Sequence, residues 1–378
     1  MTTAPLTVLG WGTYDRARHP RVGVLLDGLS EAGVCVLEVD APDRSSTADR
    51  VGMLQHPWRG VRHLFSLLGT WRRLVRDARR VRHAQRIDAM LVGYLGHFDV
   101  IVARLAFPRT RILLDHLVFA ADTARDRGLA RGLLRLPLRA LDRLALASAS
   151  LVIVDTEEHR RMLPRRKRGG SLVLPVGASE EWFRAGAARP VLAPRGGHGP
   201  LRVIFFGLFT PLQGSPVIGH AIADLARTGT PVLVTLVGTG QDEGAARSAL
   251  GDAAVTWLPW VEPGDLPDLV ARHDVCLGIF GTSDKAARVI PNKVYQGMAA
   301  GCAVVTSDTP AQRAVLEDAV AYVAPGDPGA LAHVLRSLAD DRLALRSLAA
   351  RGVTLARERF SPAAIGALLA DALGGERG

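Results

Sequence analysis

At 378 residues the chain is long for one hydrophobic core, and a common domain size of about 100–200 residues points to two domains. Apolar residues make up 48% and aromatics 5%, an aliphatic balance that excludes disordered and collagenous chains and suits packed helices and strands. The formal charge of +10 is lopsided, because residues 1–199 hold 32 of the 47 Lys and Arg but 19 of the 37 Asp and Glu.

The chain opens MTTAPLTVLG, which lacks the basic start of a secretory signal. A strand is predicted over 7–10, broken by Gly10 and Gly12, then a helix over 21–32 and a strand over 34–39, the start of a βαβ unit. Over 58–86, Trp58, Val61, Phe65, Leu68, Trp71 and Leu74 recur at helical spacing among arginines. That pattern fits a helix lying on an anionic membrane surface, and it fits equally a helix that buries an apolar stripe and solvates its arginines. Basic tracts at 125–143 and 160–168 add to the excess, but no nucleic-acid reading module accompanies them, so nucleic acid is not expected as a partner.

Strands over 89–92, 111–114 and 151–154 make the first half Rossmann-like. Periodicity is lost and Pro and Gly gather over 179–200, where a linker is expected. A second series of strands follows at 201–206, 232–237, 255–258, 275–279 and 303–306, again with helices between, and a last helix is expected over 361–373. The expected division is therefore 1–178, a linker 179–200, a second domain 201–355 and a terminal segment 356–378. The longest uncharged stretch, 203–223, contains Pro211, Gln213, Gly214, Pro216 and His220, which argues against a membrane span. Cys35, Cys276 and Cys302 lie far apart with neither disulfide nor zinc spacing, which suits a reducing cytoplasm.

The most informative stretch is IPNKVYQGMAAGCAVVTS, residues 290–307. Pro291 suits a helix start, Lys293 adds a positive charge beside the outward-pointing first-turn amides, and Gly301 stands where a left-handed C-terminal residue is usual. Val304, Val305 and Thr306 then read as a buried parallel strand. Spacing alone also allows an ordinary helix-to-strand unit. The segment is similar to the donor-binding motif of retaining GT-B glycosyltransferases of family 4, in which a lysine stands three residues before an acid, followed by a small-residue helix and a Gly-led strand. The resemblance covers nearly the whole chain and is most specific over 203–324.

Within that resemblance, FFGLFTPLQGSPVIGHAI matches the strand, turn and helix that approach the donor diphosphate, which implicates Gly207, Thr210, Gln213 and Gly214. Gly238 and Gly240 match a Gly-x-Gly turn, Trp260 stands where it would flank a base, and Gly281, Pro291 and Asn292 flank the donor motif. Departures are specific. An arginine and a lysine that neutralise the diphosphate in many members are replaced by Leu208 and Gln213, and the family's two glutamates fall on Arg288 and Gln296. Gln296 retains an amide oxygen for a ribose hydroxyl, whereas Arg288 has no acceptor. Lys285, Arg288 and Lys293 place three cations in nine residues, and are read as replacing the missing charges; solvated loop charges are the plain alternative for the first two.

In the first half, GWGTYD lacks the third glycine of a dinucleotide fingerprint, and places Gly12 and Thr13 toward the donor and Tyr14 toward an acceptor. His97 and Asp99 in GYLGHFD, and Asp115, are read as acceptor-binding; His116 resembles the family's histidine near the reacting sugar. Thr156, Glu157, His159, Val176 and Gly177 sit where acceptor or hinge contacts are plausible.

The resemblance implies an α/β, GT-B fold of two Rossmann-like, doubly wound domains facing across a cleft, with the terminal helix crossing back to the first domain. It implies transfer of a hexose-type sugar from a nucleotide diphosphate donor, UDP-sugar favoured, to a hydroxyl acceptor with retention. His116, Arg288 and Lys293 are the expected catalytic set, with no cofactor and no metal, since no Asp-x-Asp pair occurs in the chain. The acceptor is expected to be a glycan, a lipid-linked glycan or a small metabolite, and the protein cytoplasmic, with an anionic membrane surface as a further partner. A nucleotide-sugar epimerase or hydrolase on the same fold, or a non-catalytic nucleotide-sugar-binding partner, remain open alternatives.

Overall fold

The structure is a computed structural model that describes residues 6–16, 19–42, 57–93, 95–128, 135–188 and 199–374, without the side chains of 57–66 and 135. The chain divides into two compact units, residues 1–174 with 365–378, and residues 175–364.

The first unit is built on six parallel strands, β1 Thr7–Gly12, β2 Cys35–Asp40, β3 Ala89–Val92, β4 Arg111–Asp115, β5 Leu151–Val154 and β6 Ser171–Val173, ordered β2-β1-β3-β4-β5-β6. A parallel sheet is covered on both faces, so its central strands are apolar throughout; all residues of β3 and β5 are buried. The edge strand β2 is half-exposed. One face packs Trp71, Leu74 and Ala78 of the helix Pro57–Ala84, Val100 and Ala103 of His97–Ala106, and Ala145 and Leu146 of Arg135–Ser148. The opposite face packs helix Pro20–Glu31 with Ile365, Leu369 and Leu373 of the last helix, Pro362–Gly374.

The second unit has the order β12-β11-β10-β7-β8-β9, from β7 Leu201–Phe206, β8 Val232–Val237, β9 Thr256–Leu258, β10 Val275–Leu277, β11 Ala303–Ser307 and β12 Ala321–Val323, again all parallel. Its core joins Phe205, Ile218, Leu236, Leu277 and Val305 with Leu331 and Leu335 of helix Pro328–Asp340.

Three sequence expectations differ from these facts. The segment expected as a linker contains helix Glu180–Ala188, which buries Trp182 and Phe183 within the second unit. Trp182 stacks on Phe206 at 5.7 Å between ring centroids, and a Cβ at Gly186 would overlap the Ala299 carbonyl. Residues 189–198 of that segment lie outside the description. Strands β6 and β12 have no counterpart in the sequence reading; each is a short edge strand of mostly half-buried residues, without the continuous apolar run of a central parallel strand. Of the amphipathic stripe of 58–86, Trp71 and Leu74 are buried in the core with Ala78 while Leu68 is 42% exposed; the side chains of Trp58, Val61 and Phe65 lie outside the description, as do residues 129–134 of the second basic tract.

The last helix seats closely on helix Pro20–Glu31, since a Cβ at Gly366 would overlap the backbone of Gly28. Gly366→Ala is expected to force the helices apart and lower stability by about 1–3 kcal/mol. Gly244→Ala, in helix Glu243–Leu250 with open space around it, is expected to raise stability by about 0.4–1 kcal/mol. Denaturant unfolding of the two variants measures both.

Candidate functional site

In the second unit the strand order reverses between β7 and β10, so the connections leave on opposite faces and open a crevice beyond the strand C-termini. Three glycines shape the turns there. Gly207 has φ +131°, Gly238 +126° and Gly240 +158°; a Cβ at Gly238 would overlap the Gly207 carbonyl, and one at Gly240 the Phe209 carbonyl. Only glycine permits these conformations with so close a backbone approach. The loop after β7 passes Thr210 and a short 3₁₀ turn, Pro211–Gln213, to Gly214 at φ +65°, and then enters helix Ser215–Arg227. Gly281 presses on the carbonyls of Pro211 and Leu212, while Phe280 N donates to Gln213 O at 2.9 Å. The loops following β7 and β10 are thereby fastened together.

Into this corner comes Lys293. Extended Pro291 precedes helix Asn292–Ala299, and Gly301 at φ +81° follows it, as the sequence led one to expect. Lys293 is 5% exposed; its Nζ donates to Gln213 Oε1 at 2.6 Å and lies 3.7 Å from the Phe205 ring centroid. Among the described residues no carboxylate pairs with it. Burial without a counter-ion pushes its pKa down to about 7. Gln213, expected from the sequence as a lost charge, thus accepts from a cation held beside it.

Gln296 is buried on the same helix, and Pro291 and Asn292 are half-buried at its start. Lys285 and Arg288 lie in the preceding turn, where Arg288 N donates to Lys285 O at 3.0 Å. Trp260 is 64% exposed with its Nε1 donating to Glu262 Oε1 at 3.3 Å, a surface position. Ser215 was missed: its Oγ is buried with no partner in the first turn of its helix, and the Gly-Ser-Pro opening is the signal that marks it.

In the first unit the order reverses between β1 and β3. Asp99 fastens the turn after β1: Oδ2 accepts from Thr13 N at 2.7 Å and Thr13 Oγ1 at 2.9 Å, and Oδ1 accepts from Trp71 Nε1 at 2.8 Å. Gly12, at φ +145°, leaves room for that carboxylate. Tyr14 is buried and donates to Glu38 Oε2 at 3.0 Å; burial and that carboxylate raise its pKa. These side chains hold the loop.

Beyond β4, His116 is 2% exposed, its ring centroid 5.1 Å from that of His97 and 4.5 Å from that of Phe119. Burial and neighbouring His97 push its pKa down to about 3, so the imidazole is neutral, and its Nε2 has no partner. His97 Nε2 lies 3.1 Å from Asp142 Oδ1, and Asp142 also accepts from Ala120 N at 2.9 Å and Ala121 N at 3.3 Å. Burial alone would raise the Asp142 pKa, but these donors hold it below the usual carboxylate range. Potential ligand atoms of His97, His116 and Asp142 lie within 4.8 Å of one another, the trio best suited to a cation among the described residues, although the donors just named already engage the carboxylate. Asp142 was not singled out from sequence; its helix carries no local mark of it.

Asp115 is placed in the interior: it is 1% exposed and accepts from Arg21 Nε at 2.8 Å, while Arg21 also donates to Leu174 O at 3.1 Å. Its carboxylate serves a buried ion pair. Thr156 Oγ1 accepts from His159 N at 3.2 Å as a helix cap, His159 Nδ1 bonds Asp155, and Glu157 pairs with Arg160 at 2.8 Å. In the second unit, Val176 is buried and Gly177 is left-handed at φ +75°.

Residues 200–341 match the family model for glycosyl transferases group 1. No curated protein matches the chain in sequence. Among solved structures it is similar to sucrose-phosphate synthase from Thermosynechococcus elongatus, with 16% identity and TM-score 0.67 over 96% of both chains. It is similar to Anabaena HepE in complex with UDP-glucose, with 17% identity and TM-score 0.66 over 98% of this chain and 100% of the other. A third is the UDP-forming α,α-trehalose-phosphate synthase from Burkholderia vietnamiensis, with 14% identity and TM-score 0.65 over 98% and 97%. These likenesses show the fold, GT-B, with its two Rossmann-like α/β units.

Asp115→Ala removes the carboxylate that accepts from the buried Arg21 guanidinium, and is expected to cost about 3–5 kcal/mol in urea unfolding. Joint replacement, Arg21→Met with Asp115→Leu, is expected to cost far less, because the desolvation of both charges is removed together with their attraction.

Proposed function

We propose that the chain is a glycosyltransferase that moves a hexose-type sugar from a nucleotide diphosphate donor to a hydroxyl acceptor. The observation that carries this reading is Lys293, buried beside the turn after β7 with no carboxylate partner among the described residues, within the segment that matches glycosyl transferases group 1. A cation so placed gains a counter-ion only when an anion arrives, and a diphosphate supplies it. UDP is the favoured nucleotide because HepE, which shares the fold, has been crystallised with UDP and with UDP-glucose.

The chemistry proceeds by stabilising the leaving group. The bond from the anomeric carbon to the diphosphate oxygen breaks, Lys293 meets the developing negative charge, and Arg288 and Lys285 add charge from the neighbouring turn. In retaining transfer the acceptor hydroxyl attacks on the face the diphosphate leaves, and a diphosphate oxygen takes its proton, so no side-chain nucleophile is needed. In the first unit His116, neutral and with Nε2 unpartnered, accepts or donates a hydrogen bond to a sugar hydroxyl according to its tautomer. Gln296 turns its amide oxygen to the ribose.

Anion binding requires protonated Lys293, so diphosphate binding takes up a proton once the free-state pKa is near 7. Nucleoside diphosphate affinity is expected to fall by about tenfold per pH unit above pH 7 until the pKa in the complex is reached. In the ligand-free protein the sign is opposite: the unfolded lysine keeps its proton to about pH 10.5 while the folded one has lost it, so this residue's contribution to stability improves as pH rises from 7 to 10.5. Calorimetric titration with UDP across that range checks the first statement.

A thermal-shift panel of UDP-, GDP-, ADP- and TDP-sugars tests the whole reading, since ligand at about a hundred times its Kd stabilises a fold by roughly 2.7 kcal/mol. One selective shift, abolished in Lys293→Ala, is the expected result. No shift with any of the four would remove the donor assignment.

A further inference from the structure

The three helices Pro57–Ala84, His97–Ala106 and Arg135–Ser148 cover the same face of the first sheet, each burying one side in the same core. Their outer sides are unusual. Leu68 is 42% exposed, Phe98 43%, Leu105 78%, Leu136 56% and Leu144 58%, half of the large exposed apolar side chains among the described residues. Phe98 and Leu105 are seven residues apart, two turns along one stripe of their helix, and Leu136 and Leu144 share a side of theirs.

Arginines surround these side chains, with Arg72, Arg73, Arg79, Arg80, Arg139 and Arg143 all exposed on the same helices. The helices hold three acids, of which Asp99 and Asp142 are buried by the contacts described above; only Asp77 reaches the surface, and it is paired with Arg76 and Arg80. The outer sides of these three helices are therefore apolar and strongly cationic, and the one acid they expose is already paired.

We infer that this face docks on an anionic lipid bilayer, an interaction separate from sugar transfer. Charge complementarity selects an anionic partner, and the protruding leucines select one with an apolar layer just beneath its charges. A nucleic-acid backbone would satisfy the arginines and leave the leucines in water. The helices lie flat, because their inner sides are committed to the sheet and none is long and apolar enough to cross a membrane.

The test is co-sedimentation of the full chain with vesicles of phosphatidylcholine alone and of phosphatidylcholine mixed equally with phosphatidylglycerol. Binding is expected only to the anionic vesicles, weakening as salt is added. Loss of one arginine at an anionic surface weakens partitioning about fivefold, so Arg72→Glu with Arg79→Glu, and separately Arg139→Glu with Arg143→Glu, should each bind at least about 25-fold more weakly. Leu105→Ser with Leu144→Ser should weaken binding while keeping its salt dependence. Arg272→Glu with Arg346→Glu, exposed in the second unit, should bind as the parent does. All the substituted side chains are exposed, so folding is expected to survive, and unchanged thermal unfolding confirms it. No binding to anionic vesicles at low salt, equal binding by the parent and the helix-face variants, or preferential capture of RNA would each overturn the assignment.

Discussion

A buried ammonium with no carboxylate at hand is a costly thing to fold around, and the second unit does so at Lys293. The arrangement depends on a chain of close backbone contacts. Gly207, Gly238 and Gly240 let two turns meet carbonyl against Cα, Gly214 and Gly281 lock the loops after β7 and β10, and the lock aims Gln213 at the ammonium. Phe205 closes the underside. The Ser215 hydroxyl, buried and without a hydrogen-bond partner, is a second polar group left incomplete, at the start of the helix that follows Gln213. Incomplete polar groups at the reversal point of a doubly wound sheet are what a ligand completes.

The first unit treats its polar groups differently. Asp99, Thr156 and Asp155 are matched to partners and hold a loop and a helix cap, while Asp115 is paired with Arg21 through Oδ1 and keeps Oδ2 buried without a partner. Asp142 is held to His97 and to two backbone amides, which orients the His97 ring against His116. His116 is left with a free nitrogen at the end of that relay. Most polar residues at these strand ends are spent on one another, and a few keep an atom buried without a partner, His116 Nε2 and Asp115 Oδ2 among them.

The surplus of arginine in the first half has a structural counterpart on the helix layer that covers one side of its sheet. There the same helices serve two solvents: the stripe through Trp71, Leu74 and Ala78 faces the core, and the stripe with Leu105, Leu144 and the arginines faces outward. The two readings of the amphipathic tract at 58–86 are thus not exclusive, because a helix has more than one side.

Much of the fold was legible in the residues. The strands Ala89–Val92, Leu151–Val154, Leu201–Phe206 and Val232–Val237 stand where continuous apolar runs placed them, since buried parallel strands must be apolar on both faces. Pro291, Lys293 and Gly301 announced their helix by local rules for its ends. What failed was anything set by distant partners. Asp115 at a strand end reads like a site residue until Arg21, 94 positions away, is found beside it, and Gln213 reads like a lost charge until Lys293, 80 positions away, is found on its amide oxygen. Helix Glu180–Ala188 hid among Pro and Gly because its burial comes from Phe206 and Ala299, not from its own pattern. The sequence by itself determined the alternation of strand and helix, the glycine turns and the identity of the cation, because these follow from local stereochemistry. Only the tertiary structure decided which polar groups are spent on one another and which stay open, because that depends on strand order, and strand order brings together residues that no local period connects.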